Sequence, residues 1–226
     1  MGKTRFLNPG LIVRTALDMG DREGGADAMT MRRIAGELGC DPMALYRHFS
    51  NRDALLDAVA DLALSEVQDP DAELPWDQRI AATAAAFRAA AVQHPGITAH
   101  LAARPPLGEH GRRLAAGMLD ALVAAGLPPA AAVRSFQTLV AHLAASLAMA
   151  VQAGTRDHRW GQVRDMVNAL PGADAAGDDL FVVGGEEQFR FGLRLLLAGI
   201  RAEAAAAATG ERGAVDSRSP ASPAPL

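Results

Sequence analysis

An all-α fold follows from three features of the amino-acid sequence. Half of the 226 residues are apolar but only 4% are aromatic, and much of the apolar content is Ala, the strongest helix former. Alternating runs of Val, Ile and Thr, which mark half-buried strands, are missing. Apolar residues instead recur at spacings of three and four between breaks made by Gly and Pro. The length suits one helical core or two modest domains.

Residues 1–7 hold Lys3 and Arg5, show no periodicity and read as a mobile arm. Asn8 and Pro9 make a helix start, an Asn N-cap followed by Pro at the first helical position. Leu11, Ile12, Ala16, Leu17 and Met19 give that helix its apolar stripe, and Gly24 and Gly25 end it. Thr30 caps a second helix with Ile34, Ala35 and Leu38 inward, and Ala35 is small where a neighbouring helix must cross closely. Gly39 stops this helix, because a tight interhelical turn wants a residue tolerant of positive φ. Asp41 caps a third helix, Pro42 opens it, and Leu45 and Phe49 form its buried side. Ser50 and Asn51 start a longer fourth helix carrying Leu55, Leu56, Val59, Leu62, Ala63 and Val67, which is expected to run to about Gln68.

The stretch 69–75, with two prolines, divides a small head (7–67) from a larger body (76–208). Five further helices are expected in the body, over about 76–94, 97–104, 108–125, 129–152 and 186–208. Ile80, Ala84, Phe87 and Ala91 stripe the first; Phe136, Leu139, Val140, Leu143, Leu147 and Val151 the fourth; Phe189, Leu193, Leu196 and Ile200 the last. Between the last two, 155–185 is the least regular part, with a short helix possible over 160–170. Gly192 and Gly199 lie on nearly the same face and imply the close approach of another helix. The tail, 209–226, is rich in Gly, Ser, Pro and Ala and reads as disordered.

The single Cys excludes an intramolecular disulfide framework or a thiolate cluster and fits a reducing cytoplasm. No apolar run resembles a signal peptide or spans a bilayer, so neither a membrane partner nor a membrane location is expected. Net charge is −4, but it is unevenly spread. Residues 1–52 carry eight Lys/Arg against six acids; the rest carries 14 against 20. A basic head on an acidic body suits a protein that meets phosphate with one end only.

That end holds a helix-turn-helix over about 30–49. Such a motif lays its second helix in the DNA major groove, with that helix's N-terminal residues nearest the bases. Inward Leu45 and Phe49 leave Met43, Ala44, Arg47 and His48 mostly outward, with Pro42 at the tip and Tyr46 at the edge. Tyr46 offers a hydroxyl to phosphate or a ring to a thymine methyl, and Arg47 and His48 reach phosphates or base edges. Thr30, at a helix N-terminus, is placed for phosphate, as is Arg52 across the groove. Of the adjacent Arg32 and Arg33, only one can face phosphate well.

Residues 7–68 resemble the DNA-binding domain of the tetracycline-repressor (TetR) family. The likeness rests on Thr30, Arg32, Ile34, Ala35, Leu38, Gly39, Leu45, Tyr46, His48, Phe49, Asn51, Arg52, Leu55, Leu56, Asp57 and Ala58. It implies a homodimeric repressor that is released from operator DNA by a small-molecule effector. It also implies DNA contacts from Thr30, Arg32, Pro42, Met43, Ala44, Tyr46, His48 and Arg52. Met43 and Ala44 stand where the family's namesake has Pro and Thr, which implies a different operator sequence.

The body resembles the family's tetracycline-repressor-type C-terminal domain over about 76–205. Residues 100–105, H-L-A-A-R-P, are similar to an H-L-G-T-R-P segment that holds a metal-chelated drug in the family. His100 takes the metal-ligand position and Phe87 that of a drug-contacting Phe. Departures are substantial: Ala103 replaces Thr, Thr83 replaces Asn, Gln68 replaces His, and 136–151 holds no Glu. One His without carboxylate or Cys neighbours at ligand spacing makes a poor metal site. No metal, no cofactor and no magnesium–tetracycline binding are therefore expected. Thr83, Phe87, His100, Arg104, Met118 and His142 are the expected lining of a drug-like pocket between helices. The stripes on 133–152 and 186–208 fit antiparallel helices from each subunit in a four-helix dimer interface.

A DNA-binding activator or a ligand-independent regulator would fit the same residues. An enzyme fits them less well. No glycine-rich phosphate loop, nucleophile elbow or metal cluster occurs, and the acidic pairs Asp178-Asp179 and Glu186-Glu187 lie in or beside an irregular loop.

Overall fold

The computed structural model describes residues 7–152, 159–172, 177, 180 and 182–209. Residues 1–6 of the expected arm, Asp178, Asp179 and the tail beyond Thr209 lie outside these. Among the described residues the regular elements are ten α-helices and one 3-10 turn, with no strand.

Helix α1 (Pro9–Glu23) starts where Asn8 accepts a hydrogen bond from the Leu11 N–H at 2.9 Å, and stops at Gly24. The 3-10 turn Ala26–Ala28 leads into α2 (Met31–Leu38), α3 (Pro42–Tyr46) and α4 (Arg52–Ala63). Two of these helices are shorter than their sequence patterns suggest. Helix α3 ends at Tyr46 rather than Phe49, although the His48 and Phe49 amides still donate to the Leu45 carbonyl at 2.9 and 3.0 Å. Helix α4 ends at Ala63 rather than near Gln68, with Leu64 and Val67 just beyond it still buried in the core.

The body comprises α5 (Trp76–Gln93), α6 (Pro95–Ala103), α7 (Glu109–Ala124), α8 (Pro129–Gln152), α9 (Arg159–Asn168) and α10 (Glu186–Ala208). Two apolar cores form. One joins α1–α4 to Ala91, Ile97, Leu101, Leu114 and Leu147 of the body. The other packs Ile80, Ala84, Met118, Leu122, Leu139 and Leu143 against Phe189, Leu193, Leu197 and Ile200. Head and body therefore share buried surface, and α6 packs against both α1 and α4 of the head.

Three polar contacts reinforce that junction at both ends of α6. His94 Nδ1 donates to Asp21 of α1 at 2.6 Å, and His100 Nε2 donates to Asp57 of α4 at 2.7 Å. Arg104 reaches Asp53 and Asp57 of α4. Between these ends, Gly96 of α6 faces Gly20 of α1 with no room for a side chain on Gly96.

The stripes assigned to a dimer interface turn mostly inward. Leu139, Leu143, Leu147, Phe189, Leu193 and Ile200 are buried in this chain's own core, because α8 and α10 pack on each other. Gly192 meets α8 there: a Cβ on it would lie 2.5 Å from His142 Cε1. Outward apolar residues on the same two helices are Val133, Val151, Phe191 and Leu195, with nothing within 4 Å of a Cβ on Gly199.

Buried Arg88 lies in the stripe of α5. Its Nη2 donates to the Gly184 carbonyl at 2.5 Å, and its guanidinium stands 5.4 Å from the Phe189 ring centroid. Burial pushes the guanidinium below its ordinary value, with the nearby charge of Glu186 opposing that shift.

Candidate nucleic-acid interface and ligand cavity

The helix-turn-helix is built by caps and one tight turn. The Thr30 hydroxyl accepts from the Arg33 N–H at 3.2 Å and starts α2. Ile34, Ala35 and Leu45 are fully buried and lock α2 against α3. Gly39, at φ 66°, adopts the left-handed conformation that closes the turn. It also lets the Cys40 N–H donate back to the Ala35 carbonyl at 2.9 Å. Asp41 then accepts from the Met43 N–H at 2.7 Å and caps α3.

This frame fixes which side chains face outward. Met43 is 65% exposed and Tyr46 44%. Arg47 and His48 are exposed beside them, and Pro42 and Ala44 are half-buried. Of the adjacent arginines, Arg33 is engaged: both Glu23 carboxylate oxygens accept from its Nη2 at 2.7 Å. Arg22 likewise pairs with Glu37. Arg32 and Arg47 are exposed and form no ion pair among the described residues. Two acids of the head are thus paired internally while the outer face keeps open cations, which suits a phosphate surface.

Arg52 has a different setting from the one the sequence suggests. It is half-buried, and its Nε and Nη2 donate to the Met29 and Ala26 carbonyls at 3.0 and 2.5 Å. It thereby ties the start of α4 to the link between α1 and α2. The Asn51 side chain caps α4 beside it, accepting from the Ala54 N–H at 2.8 Å.

In the body, a cavity of about 550 Å³ opens between α5, α6, α7 and α8. Thr83, Phe87, Arg104 and Met118 line it, as the sequence suggests, together with Leu101, Arg112, Phe136, Gln137 and Val140. His100 and His142 do not. The His100 ring is turned to Asp57, and that of His142 stacks on Phe189 at 5.3 Å and donates to its carbonyl at 3.0 Å. Among the described residues, no group of three or more His, Cys, Asp or Glu is placed to hold a metal ion.

Sequence reasoning missed Arg112, Gln137 and Leu107 as lining, and Arg88 as a buried cation. Arg88 had a signal, since it stands four residues after Ala84 on the inward face of α5. The lining around 105–112 had none, because it depends on how α6 and α7 meet.

Residues 22–59 match the family described as "Bacterial regulatory proteins, tetR family", and residues 69–204 match "Tetracyclin repressor-like, C-terminal domain". The class A tetracycline repressor from transposon 1721 in Escherichia coli is 32% identical over 200 residues, covering 86% of this chain and 90% of that one. Among solved structures, the Streptomyces coelicolor TetR family protein ActR in complex with (S)-DNPA superposes with a TM-score of 0.75 at 29% identity. That match covers 88% of this chain and 98% of ActR. BioQ bound to its natural double-stranded DNA operator gives a TM-score of 0.62 at 28% identity, covering 87% of this chain and 99% of that one.

Proposed function

The chain belongs to the tetracycline-repressor family of bacterial regulatory proteins, and from that premise we propose a homodimeric operator-binding repressor controlled by a small molecule in the body cavity. The observation that carries this reading is the outer face of the helix-turn-helix. There the second helix presents Met43, Tyr46, Arg47 and His48 to solvent on a frame locked by Ile34, Ala35 and Leu45.

In this reading α3 enters the major groove tip first. Pro42, Met43 and Ala44 meet base edges, where Met43 gives apolar contact to a thymine methyl. Tyr46, Arg47 and His48 meet the flanking phosphates, with Thr30 and Arg32 on the other side of the groove. Arg52 contributes by holding α4 and the turn before α2 in register. Two heads about 34–36 Å apart read successive faces of one duplex. The second subunit docks on the outward faces of α8 and α10, where Phe191 and Leu195 are exposed and Gly199 leaves room for close approach.

The effector acts through the junction. A ligand in the cavity touches Arg104, which also holds Asp53 and Asp57 of α4. A shift there alters the tilt of both heads. It changes DNA affinity only to the extent that the ligand binds one head spacing better than the other. Among the described residues no helix is long and apolar enough to cross a membrane; in this reading the protein acts on operator DNA in the cytoplasm and needs no catalytic step. Selection of binding sites from a random duplex library tests this. A two-fold symmetric site with half-sites one helical turn apart is expected, and recovery of no preferred sequence overturns it.

A further inference from the structure

The walls of the cavity are apolar, with Phe87, Met118, Phe136 and Val140 among them, yet two arginines flank its edge. Arg104 closes the end of α6 and Arg112 lies in the first turns of α7, with Leu107, 76% exposed, between them. Among the described residues no carboxylate contributes to the lining. An apolar chamber with two cations and no acid is complementary to an apolar molecule bearing one anionic group.

The two arginines differ in what already engages them. Arg112 donates only to the Gly108 carbonyl of its own helix, at 3.2 Å, and has no carboxylate partner among the described residues. Arg104 contacts Asp53 at 3.2 Å and Asp57 at 3.4 and 3.5 Å, with all three side chains half exposed. Exposed ion pairs of this kind are weak and readily exchanged. A ligand carboxylate held between both arginines at the mouth of the apolar chamber makes charge-assisted bonds of roughly 2.7–2.9 Å, shorter than the contacts of 3.2, 3.4 and 3.5 Å that Arg104 makes with the two aspartates.

We propose that the effector is an apolar, monoanionic molecule whose acid group takes Arg104 away from Asp53 and Asp57, so that ion-pair exchange at the edge of the cavity releases DNA. This deepens the operator-binding reading above and rests on it. The exchange has two consequences for α4. It removes a pin between α6 and the helix that follows the helix-turn-helix. It also leaves Asp53 without its cation in the first turn of α4, while Asp57 keeps only His100, and the added negative charge on the head opposes the approach of phosphates.

The test uses the full chain and two fluorescent probes of equal shape, 9-anthracenecarboxylate and its neutral amide. The carboxylate is expected to bind at least ten-fold more tightly. The double variant Arg104→Gln with Arg112→Gln is expected to bring the two probes within two-fold of each other. It should do so by weakening the carboxylate while amide binding is retained, which shows that the cavity has kept its form. At equal occupancy the carboxylate, but not the amide, should weaken operator binding by wild type at least five-fold. Equal binding of the two probes, binding of neither, or a charge preference that survives in the double variant overturns the proposal. Charge preference is read from the probe's own emission, so it is decided whether or not an operator is bound. Absence of operator binding by the unliganded protein counts instead against the reading beneath it.

Discussion

Replacing Gly96 by Ala puts a methyl group into the contact between α1 and α6. Its Cβ would lie 2.5 Å from the Gly20 Cα, 2.6 Å from its carbonyl carbon and 3.0 Å from its oxygen. These are backbone atoms and cannot rotate away. Carbon atoms pack at about 3.5–4.0 Å, so the helices must part by about 1 Å, and a gap of that size forfeits a quarter to a half of each affected dispersion contact. Met19, Met29 and Ile97 surround the site and are buried. Overpacking of this kind costs about 1–3 kcal/mol. The gain from Ala over Gly reaches about 1 kcal/mol only in a helix interior, and Gly96 is the second residue of α6. A net loss of about 1–2 kcal/mol results, which for a chain of this size lowers Tm by about 2–8 °C. Thermal melts followed by circular dichroism at equal protein concentration measure it. Gly117→Ala is the matched control. Gly117 is exposed inside α7 with nothing within 4 Å of an added Cβ, so this variant should gain about 0.5–1 kcal/mol. A Gly96→Ala protein that melts at or above wild type would refute the close head–body contact.

The remaining predictions concern the interface and its supports. Arg47→Ala should weaken operator binding and reduce the slope of log K against log salt by about 0.9, whereas Arg33→Ala, which loses the Glu23 pair, should change that slope little; anisotropy titrations at several salt concentrations compare them. Arg52→Ala removes the bonds to the Met29 and Ala26 carbonyls and should cost about 2 kcal/mol of stability, measured by urea unfolding without DNA. Gly192→Ala drives the His142 ring off Phe189, losing one hydrogen bond and one stacked contact. The helix-propensity gain offsets part of this, and a net destabilisation of about 1 kcal/mol is expected in the same assay.

Local chemistry made the head legible in the sequence. Asn8, Thr30, Asp41 and Asn51 each cap a helix through a side chain bonded two or three residues along, and such short-range bonds leave a residue-type signature. Gly39 is legible for the same reason, since its turn needs positive φ. Long-range pairs leave no such trace. His94 with Asp21, His100 with Asp57 and Arg52 with Met29 join residues 73, 43 and 23 apart, and nothing in the local pattern names the partner. That is why the sequence alone does not show that Arg52 and His100 are held by partners inside the chain. The cavity was half legible: the apolar stripe of α5 turns Phe87 inward and the family resemblance points to Thr83 and Arg104, but the packing of α6 on α7 decides that Arg112 and Leu107 join them. Periodicity also marks Leu139 and Leu193 as buried without saying whether their neighbours belong to the same chain or to a second copy.

The central claim is that two copies of the 30–49 helix-turn-helix read one duplex together. An anisotropy titration of the library-selected duplex against a scrambled duplex of equal length, from 50 to 200 mM salt, tests it most directly. The account predicts two protomers per duplex, tighter binding to the selected site at every salt concentration, and a loss of affinity with rising salt on both duplexes that reflects several phosphate contacts. Equal affinity for the two duplexes, or binding indifferent to salt, would contradict it.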